Sequence, residues 1–182
     1  ATVLNVGSGQ QYSDVAVAVR AATPGDTVLI HPGTYRGTFW IENINGTVDQ
    51  RIVIRGVDRS TVVFDGGSES MHFSDCSYIT LENFTVRGQT GNGMNIDDAG
   101  TIETPAHHFI IQNVSFTDMN ATGNNDHLKL SGLRDFQITQ CLFERGSTGG
   151  SGIDMVGCFN GTINNNTFRS QGSNAIQAKG AT

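Results

Sequence analysis

At 182 residues the chain has room for one domain with a real core and not comfortably for two. Its 23 Gly against 3 Pro, with 37% apolar and 15% charged residues, describe an ordered, turn-rich chain rather than a disordered one. A net charge of −6 argues against nucleic acid as a partner, and no apolar run approaches the ~20 residues that a membrane span needs.

Ala1 is followed by TVLNVGSG, which reads as folded protein rather than as a leader. Ser13 then offers an N-cap to a short apolar helix, Asp14-Val-Ala-Val-Ala-Val-Arg-Ala-Ala, ending near Pro24-Gly25-Asp26. From Thr27 the run TVLIHPGTY begins the first coil, and His31 before Pro32 is read as a structural turn residue.

Further on the chain repeats itself. YITLENFTVRG from Tyr78, HFIIQNVSFTD from His108, DFQITQCLFERG from Asp135 and NGTINNNTFRS from Asn160 superpose without gaps. Leu81, Ile111, Ile138 and Ile163 fall in one column, with spacings of 30, 27 and 25 residues. Asn83, Asn113, Gln140 and Asn165 form a second, and Val86, Phe116, Phe143 and Phe168 a third. The amide column is read as a structural ladder at one turn, because stacked amides can hydrogen-bond to one another. His107 and His108 are read as opening a strand after the Glu103-Thr-Pro loop.

A second set accompanies the repeats: SMHFS from Ser70, GMNID from Gly93, HLKLS from His127, GIDMV from Gly152 and AIQAK from Ala175, with TFWIE from Thr38 as an earlier member. Each alternates apolar and polar, the period of a strand. No repeat holds the helical stretch that a βαβ unit requires. Short strands separated by Gly/Asn turns can bury their apolar positions only by stacking on their own equivalents. The expected fold is therefore all-β: a single-stranded right-handed parallel β-helix with a short N-terminal capping helix. Residues 1–182 are expected to form one domain, an N-terminal fragment of a longer coil whose C-terminal cap is missing; the alternative is that another chain covers that end. Cys76, Cys141 and Cys158 are read as buried thiols, since an odd, irregular set makes a poor disulfide framework.

GDTVLIHPGTY together with stacked ITLENFTV-type and GIDMV-type coils resembles the pectate-lyase-like superfamily of β-helix proteins, and within it the chondroitinase B and alginate lyase branch. The resemblance implies a secreted or periplasmic protein that binds an acidic polysaccharide along one outer sheet. It implies lyase, C5-epimerase or hydrolase chemistry. In that branch a Lys is the base, an Arg lies nearby, and acidic residues just before the Lys bind Ca²⁺. Lys129 matches the Lys in placement; the stretch before it carries Asp126 and no Glu, and no Arg points out of the next two strands.

Alternation sends the residues between the apolar pairs outward. One outward column is His72, Asn95, Lys129, Asp154 and Gln177; the next is Ser74, Asp97, Ser131, Val156 and Lys179; a third is Ser70, Gly93, His127, Gly152 and Ala175. With rungs about 4.8 Å apart, Lys129 and Asp154 are vertical neighbours, and His127 is expected on the same face. Proton abstraction beside a uronate carboxylate needs a base and a neutralising charge. The catalytic candidates are Lys129, His127 and Asp154. His72, Asn95, Gln177 and Lys179 are candidate polysaccharide contacts, and Asp97 and Asp126 are candidate oxygen ligands for Ca²⁺. The long coil between Ile96 and Leu130 places its extra length in 100–105 and 119–126, loops expected to wall the site. Three functions are compatible with this face: β-elimination or C5-epimerisation of a uronate polymer, inverting hydrolysis by Asp97 and Asp154, or polysaccharide binding without turnover.

Overall fold

A computed structural model describes residues 1–101 and 103–180. Ile102, within the first of the two long loops, and Ala181 and Thr182, where the missing cap is expected, lie outside the described residues.

In chain order the elements are β1 (Val3–Val6), α1 (Val15–Ala21), β2 (Thr27–Ile30), β3 (Gly33–Tyr35), β4 (Phe39–Glu42), β5 (Ile52–Gly56) and β6 (Val62–Asp65). The repeats then supply β7 (Met71–Ser74), β8 (Ser77–Arg87), β9 (Met94–Asp97), β10 (Ala106–Thr117), β11 (Leu128–Ser131), β12 (Leu133–Thr139) and β13 (Leu142–Glu144). The last coils hold β14 (Ile153–Val156), β15 (Phe159–Asn164), β16 (Thr167–Arg169) and β17 (Ile176–Lys179). Every pairing between these strands is parallel, and each strand pairs with its equivalents one coil away. The molecule is a single-stranded parallel β-helix.

The columns read from the sequence are the registers of the sheets. Leu81 pairs with Ile111, Ile111 with Ile138 and Ile138 with Ile163. Phe116, Phe143 and Phe168 stack face on face, with ring centroids 5.0 and 4.9 Å apart. Asn83, Asn113, Gln140 and Asn165 all adopt positive φ, between 52° and 62°, which Asn tolerates because its amide can bond locally. Asn113 Nδ2 donates to Asn83 Oδ1 at 2.8 Å, the first step of the expected amide ladder.

The helix differs by one residue from the sequence reading. Its N-cap is Asp14, whose Oδ1 accepts from the Val17 N–H at 3.1 Å, and Ser13 precedes it. A carboxylate caps as well as a hydroxyl and also favours the positive end of the helix. Val15, Ala18 and Val19 of α1 join the core and cover the end of the coil beside β1, β2 and β4. The three cysteines are free and buried, and burial raises each thiol, Cys76 to about 12 and Cys141 to about 11. His31 is structural: its Nε2 lies 2.9 Å from Asn5 Oδ1 and its carbonyl accepts from the Tyr35 hydroxyl. His107 and His108 sit at the start of β10, where their Nδ1 atoms are 2.7 Å apart.

Candidate functional site

The six-stranded sheet β4-β7-β9-β11-β14-β17 carries the site. Its inner positions from Ile41 through Met71, Phe73, Met94, Ile96, Leu128, Leu130 and Ile153 are fully buried, so period-2 alternation sends the intervening residues to the other face. Register aligns Trp40 with His72, His72 with Asn95, Asn95 with Lys129, Lys129 with Asp154 and Asp154 with Gln177. The neighbouring column runs Glu42, Ser74, Asp97, Ser131, Val156 and Lys179. Both columns agree with the sequence reading, which stopped one rung short of Trp40 and Glu42.

At the upper end, the Lys129 ammonium bonds Asp154 Oδ2, and Lys179 Nζ reaches the same oxygen at 3.2 Å. Lys179 is half exposed and Lys129 a quarter exposed, whereas the Asp154 side chain is only 1% exposed. Burial would raise the Asp154 carboxyl, but hydrogen bonds from the two lysines outweigh it and hold the group below the ordinary carboxylate value. Asp126, just before β11, is buried beside it. Its Oδ1 accepts from the Ser151 N–H at 2.8 Å, and its carboxyl lies near that of Asp154. Burial raises the Asp126 carboxyl, as does the Asp154 charge, against the lowering effect of Ser151. The pair is therefore split: one carboxyl inclined to keep its proton, one to lose it. The second Asp154 oxygen, Oδ1, is buried with no hydrogen-bond partner among the described residues.

At the lower end the charges are reversed. His72 lies between Glu69 Oε1, 3.0 Å from its Nδ1, and Asp97 Oδ2 at its Nε2. Burial lowers the imidazole, but these two carboxylates outweigh it and raise His72 above its ordinary value. Asp97 is buried enough to be raised, yet the bonds from His72 and Ser74 lower it. Asn95 donates to the other Glu69 oxygen and accepts from Asn92 Nδ2 at 3.0 Å, linking the two ends. The Trp40 indole stacks on His72 with centroids 3.9 Å apart.

Lys129, Asp154 and Lys179 are brought together, as are His72 and Asn95, while Gln177 comes after Asp154 in register. His127 requires a correction. It is 1% exposed and lies inside the coil beside Phe116 and Phe143, not on the outer face with Lys129. The residue stands before β11, at the corner where the backbone turns, so alternation does not extend to it. Burial pushes its imidazole down to about 4. The small residues above and below it, Gly93 and Gly152, were the available signal that this column points inward. The sequence reading also missed Trp40, Glu42, Glu69 and Asn92. Trp40 and Glu42 were within reach by extending the register to TFWIE, whereas Glu69 and Asn92 stand in turns before β7 and β9, where no periodicity fixes direction.

Asp97 and Asp126 lie in separate networks, and among the described residues no group of three or more His, Cys, Asp or Glu comes together as a metal cage. Of the two long loops, 100–105 contributes only Gly100, together with Asp98 and Ala99 before it, to the depression beside Trp40 and Ser131, and 119–126 ends on Asp126.

No protein-family model matches the chain, and no curated protein does. Solved structures do. An alginate lyase from Paenibacillus sp. is 15% identical, with a TM-score of 0.44, over 93% of this chain and 76% of its own. A pectin methylesterase crystallised with a hexasaccharide is 12% identical, with a TM-score of 0.50, over 93% of this chain and 66% of its own. A PL6 family polysaccharide lyase from Pseudopedobacter saltans is 13% identical, with a TM-score of 0.38, over 93% of this chain and 58% of its own. At 12% identity and a TM-score of 0.50, the likeness to the pectin methylesterase concerns the fold alone and leaves the chemistry to be read from the site.

Proposed function

We propose that the protein acts on a uronate-containing polysaccharide bound along the six-stranded sheet, by β-elimination or C5-epimerisation centred on Lys129, Asp154 and Lys179. One observation carries this reading: two lysines converge on a single oxygen of one buried carboxylate. The C5 proton of a uronate is weakly acidic, so its removal needs a base and a cation on the sugar carboxylate. Lys129, in its neutral form, takes the C5 proton; in elimination the C4–O bond breaks and the departing oxygen receives that proton, and in epimerisation water returns a proton to C5 from the opposite face. Lys179, the more exposed of the two, neutralises the uronate carboxylate.

Hydrolysis by Asp97 and Asp154 fits less well. Asp97 is bound to His72 and Ser74, and Asp154 to Lys129 and Lys179, so each is held as an anion and neither is a carboxylic acid poised to protonate a leaving oxygen. A polymer of this kind is met outside the cell or in a periplasm, which supports a secreted or periplasmic setting. No helix among the described residues is long and apolar enough to cross a membrane.

The test is deuterium exchange at C5 in heavy water, read by NMR, together with ultraviolet absorbance of the unsaturated sugar. Alginate, pectate and chondroitin are the substrates, and Lys129→Ala is the control. Exchange that the substitution abolishes supports the reading, and absorbance assigns it to elimination. Binding of all three polymers with neither signal refutes an enzyme of this class and leaves a binding protein.

A further inference from the structure

Trp40 is the only tryptophan of the chain, and it stands 46% exposed on the outer face. It is not a loose surface side chain. Its ring is stacked on His72, its Nε1–H donates to Glu42 Oε1 at 2.9 Å, and its carbonyl accepts from Arg20. An indole held still in water is a platform whose ordering cost has already been met. It walls a depression of about 470 Å³ that also takes in Glu42, Ser74, Asp97, Asp98 and Ser131.

The chemistry of this depression differs from that of the lysine centre. Its charged walls are all carboxylates, with no Lys or Arg among them. Carboxylates accept hydrogen bonds from hydroxyls and repel a uronate. An indole takes the C–H face of a sugar ring. From Trp40 to Lys129 the column climbs three rungs, about 14 Å, so both places lie along one extended chain.

We infer that the Trp40 depression is a subsite for an uncharged sugar ring, so that the polymer bound on this face carries uncharged units beside its uronates. This rests on the polysaccharide reading above and adds the composition of the polymer to it. The sugar lies against the indole, donates hydroxyl hydrogens to Glu42 and Asp98, and meets Ser131 at the upper edge. A uronate at the same place would face Glu42 and Asp98, with Asp97 already paired to His72, and is disfavoured.

Because Trp40 is the only tryptophan, its emission reports this subsite alone. The full chain is titrated with cellohexaose, which is uncharged, with an oligogalacturonate, which is uronate throughout, and with a chondroitin oligosaccharide, which alternates. Calorimetry runs in parallel on the chain, on Lys179→Met and on Trp40→Ala, each checked for folding by circular dichroism. Cellohexaose and the chondroitin oligosaccharide shift the emission saturably. The oligogalacturonate binds, loses its binding in Lys179→Met, and leaves the emission unmoved. Trp40→Ala weakens the chondroitin oligosaccharide about tenfold, the scale of one aromatic contact, and Trp40→Phe recovers most of that. Emission unmoved by cellohexaose and by the chondroitin oligosaccharide, or shifted equally by the oligogalacturonate, overturns the subsite. If the oligogalacturonate still binds through Lys179, the polysaccharide reading survives that result. Emission shifted by cellohexaose, with no Lys179-dependent binding of any uronate, keeps the subsite and overturns the uronate reading instead.

Discussion

The two ends of the outer face are built from the same sheet and carry opposite charge arrangements. At the Trp40 end, two carboxylates enclose one imidazole; at the Lys129 end, two ammoniums enclose one carboxylate. Burial differs as well: the side chain of Asp97 is 26% exposed, that of Asp154 only 1%. A charge that water still reaches can lose a partner cheaply, and a buried one cannot. The lysine end is therefore the one where structure and chemistry depend on the same groups, and the Trp40 end is free to vary in what it binds.

The largest effect that would sharpen this contrast comes from removing both lysines. Lys129→Met with Lys179→Met leaves Asp154 buried without a counter-charge, and should cost about 3–5 kcal/mol in urea denaturation. Each single substitution should cost much less, because the remaining lysine still bonds Oδ2. A double-mutant cycle reads the difference. Additive losses would show that the two lysines do not share one carboxylate. Adding Asp154→Asn to the double variant should recover most of the stability, since the buried charge is gone.

A second effect lies two residues from Lys129, inside the coil. His127 is held neutral by burial, with its imidazole lowered from 6.5 to about 4. Between those values the unfolded chain binds the proton and the folded one does not, so stability falls as pH falls. The loss should be about 3 kcal/mol at its fullest, by the standard conversion of a pKa difference. His127→Leu should flatten the stability curve across that window. A curve unchanged by the substitution would mean that the imidazole reaches water and belongs to the outer face after all.

Most of this architecture was legible because strand periodicity is a local rule that repetition tests many times over. The columns headed by Leu81, Asn83 and His72 each align four or five coils, and one wrong residue would have broken the pattern. The amide column was legible too, since only a few side chains tolerate the positive φ found at Asn83 and Asn113. His127 was not, because it stands where a strand turns a corner and the backbone, not the alternation, decides which way the side chain points. Glu69 and Asn92 were hidden for the same reason: they reach His72, Asn95 and Asp126 from turns. The charge reversal along the face was also out of reach, because it depends on which carboxylates those turns deliver.

The smallest effect concerns the acidic end, and its sign opposes that of the lysine end. His72 is raised above its ordinary value by Glu69 and Asp97, in spite of burial. Its contribution to stability is complete below the unfolded value of 6.5 and is lost as pH rises through the raised folded value. Asp154 is lowered, so its contribution is present above 3.8 and is lost as pH falls through the folded value. The two ends therefore weaken in opposite directions, one on the alkaline side and one in acid. For His72 the effect should be no more than ~1 kcal/mol, the scale of a pair that water partly screens. NMR titration of the imidazole measures the folded value directly, and His72→Gln should remove the alkaline loss while leaving the acid one intact. An imidazole that titrates below 6.5 would mean that burial outweighs the two carboxylates, and the face would then carry two uncompensated acids under Trp40 rather than a paired histidine.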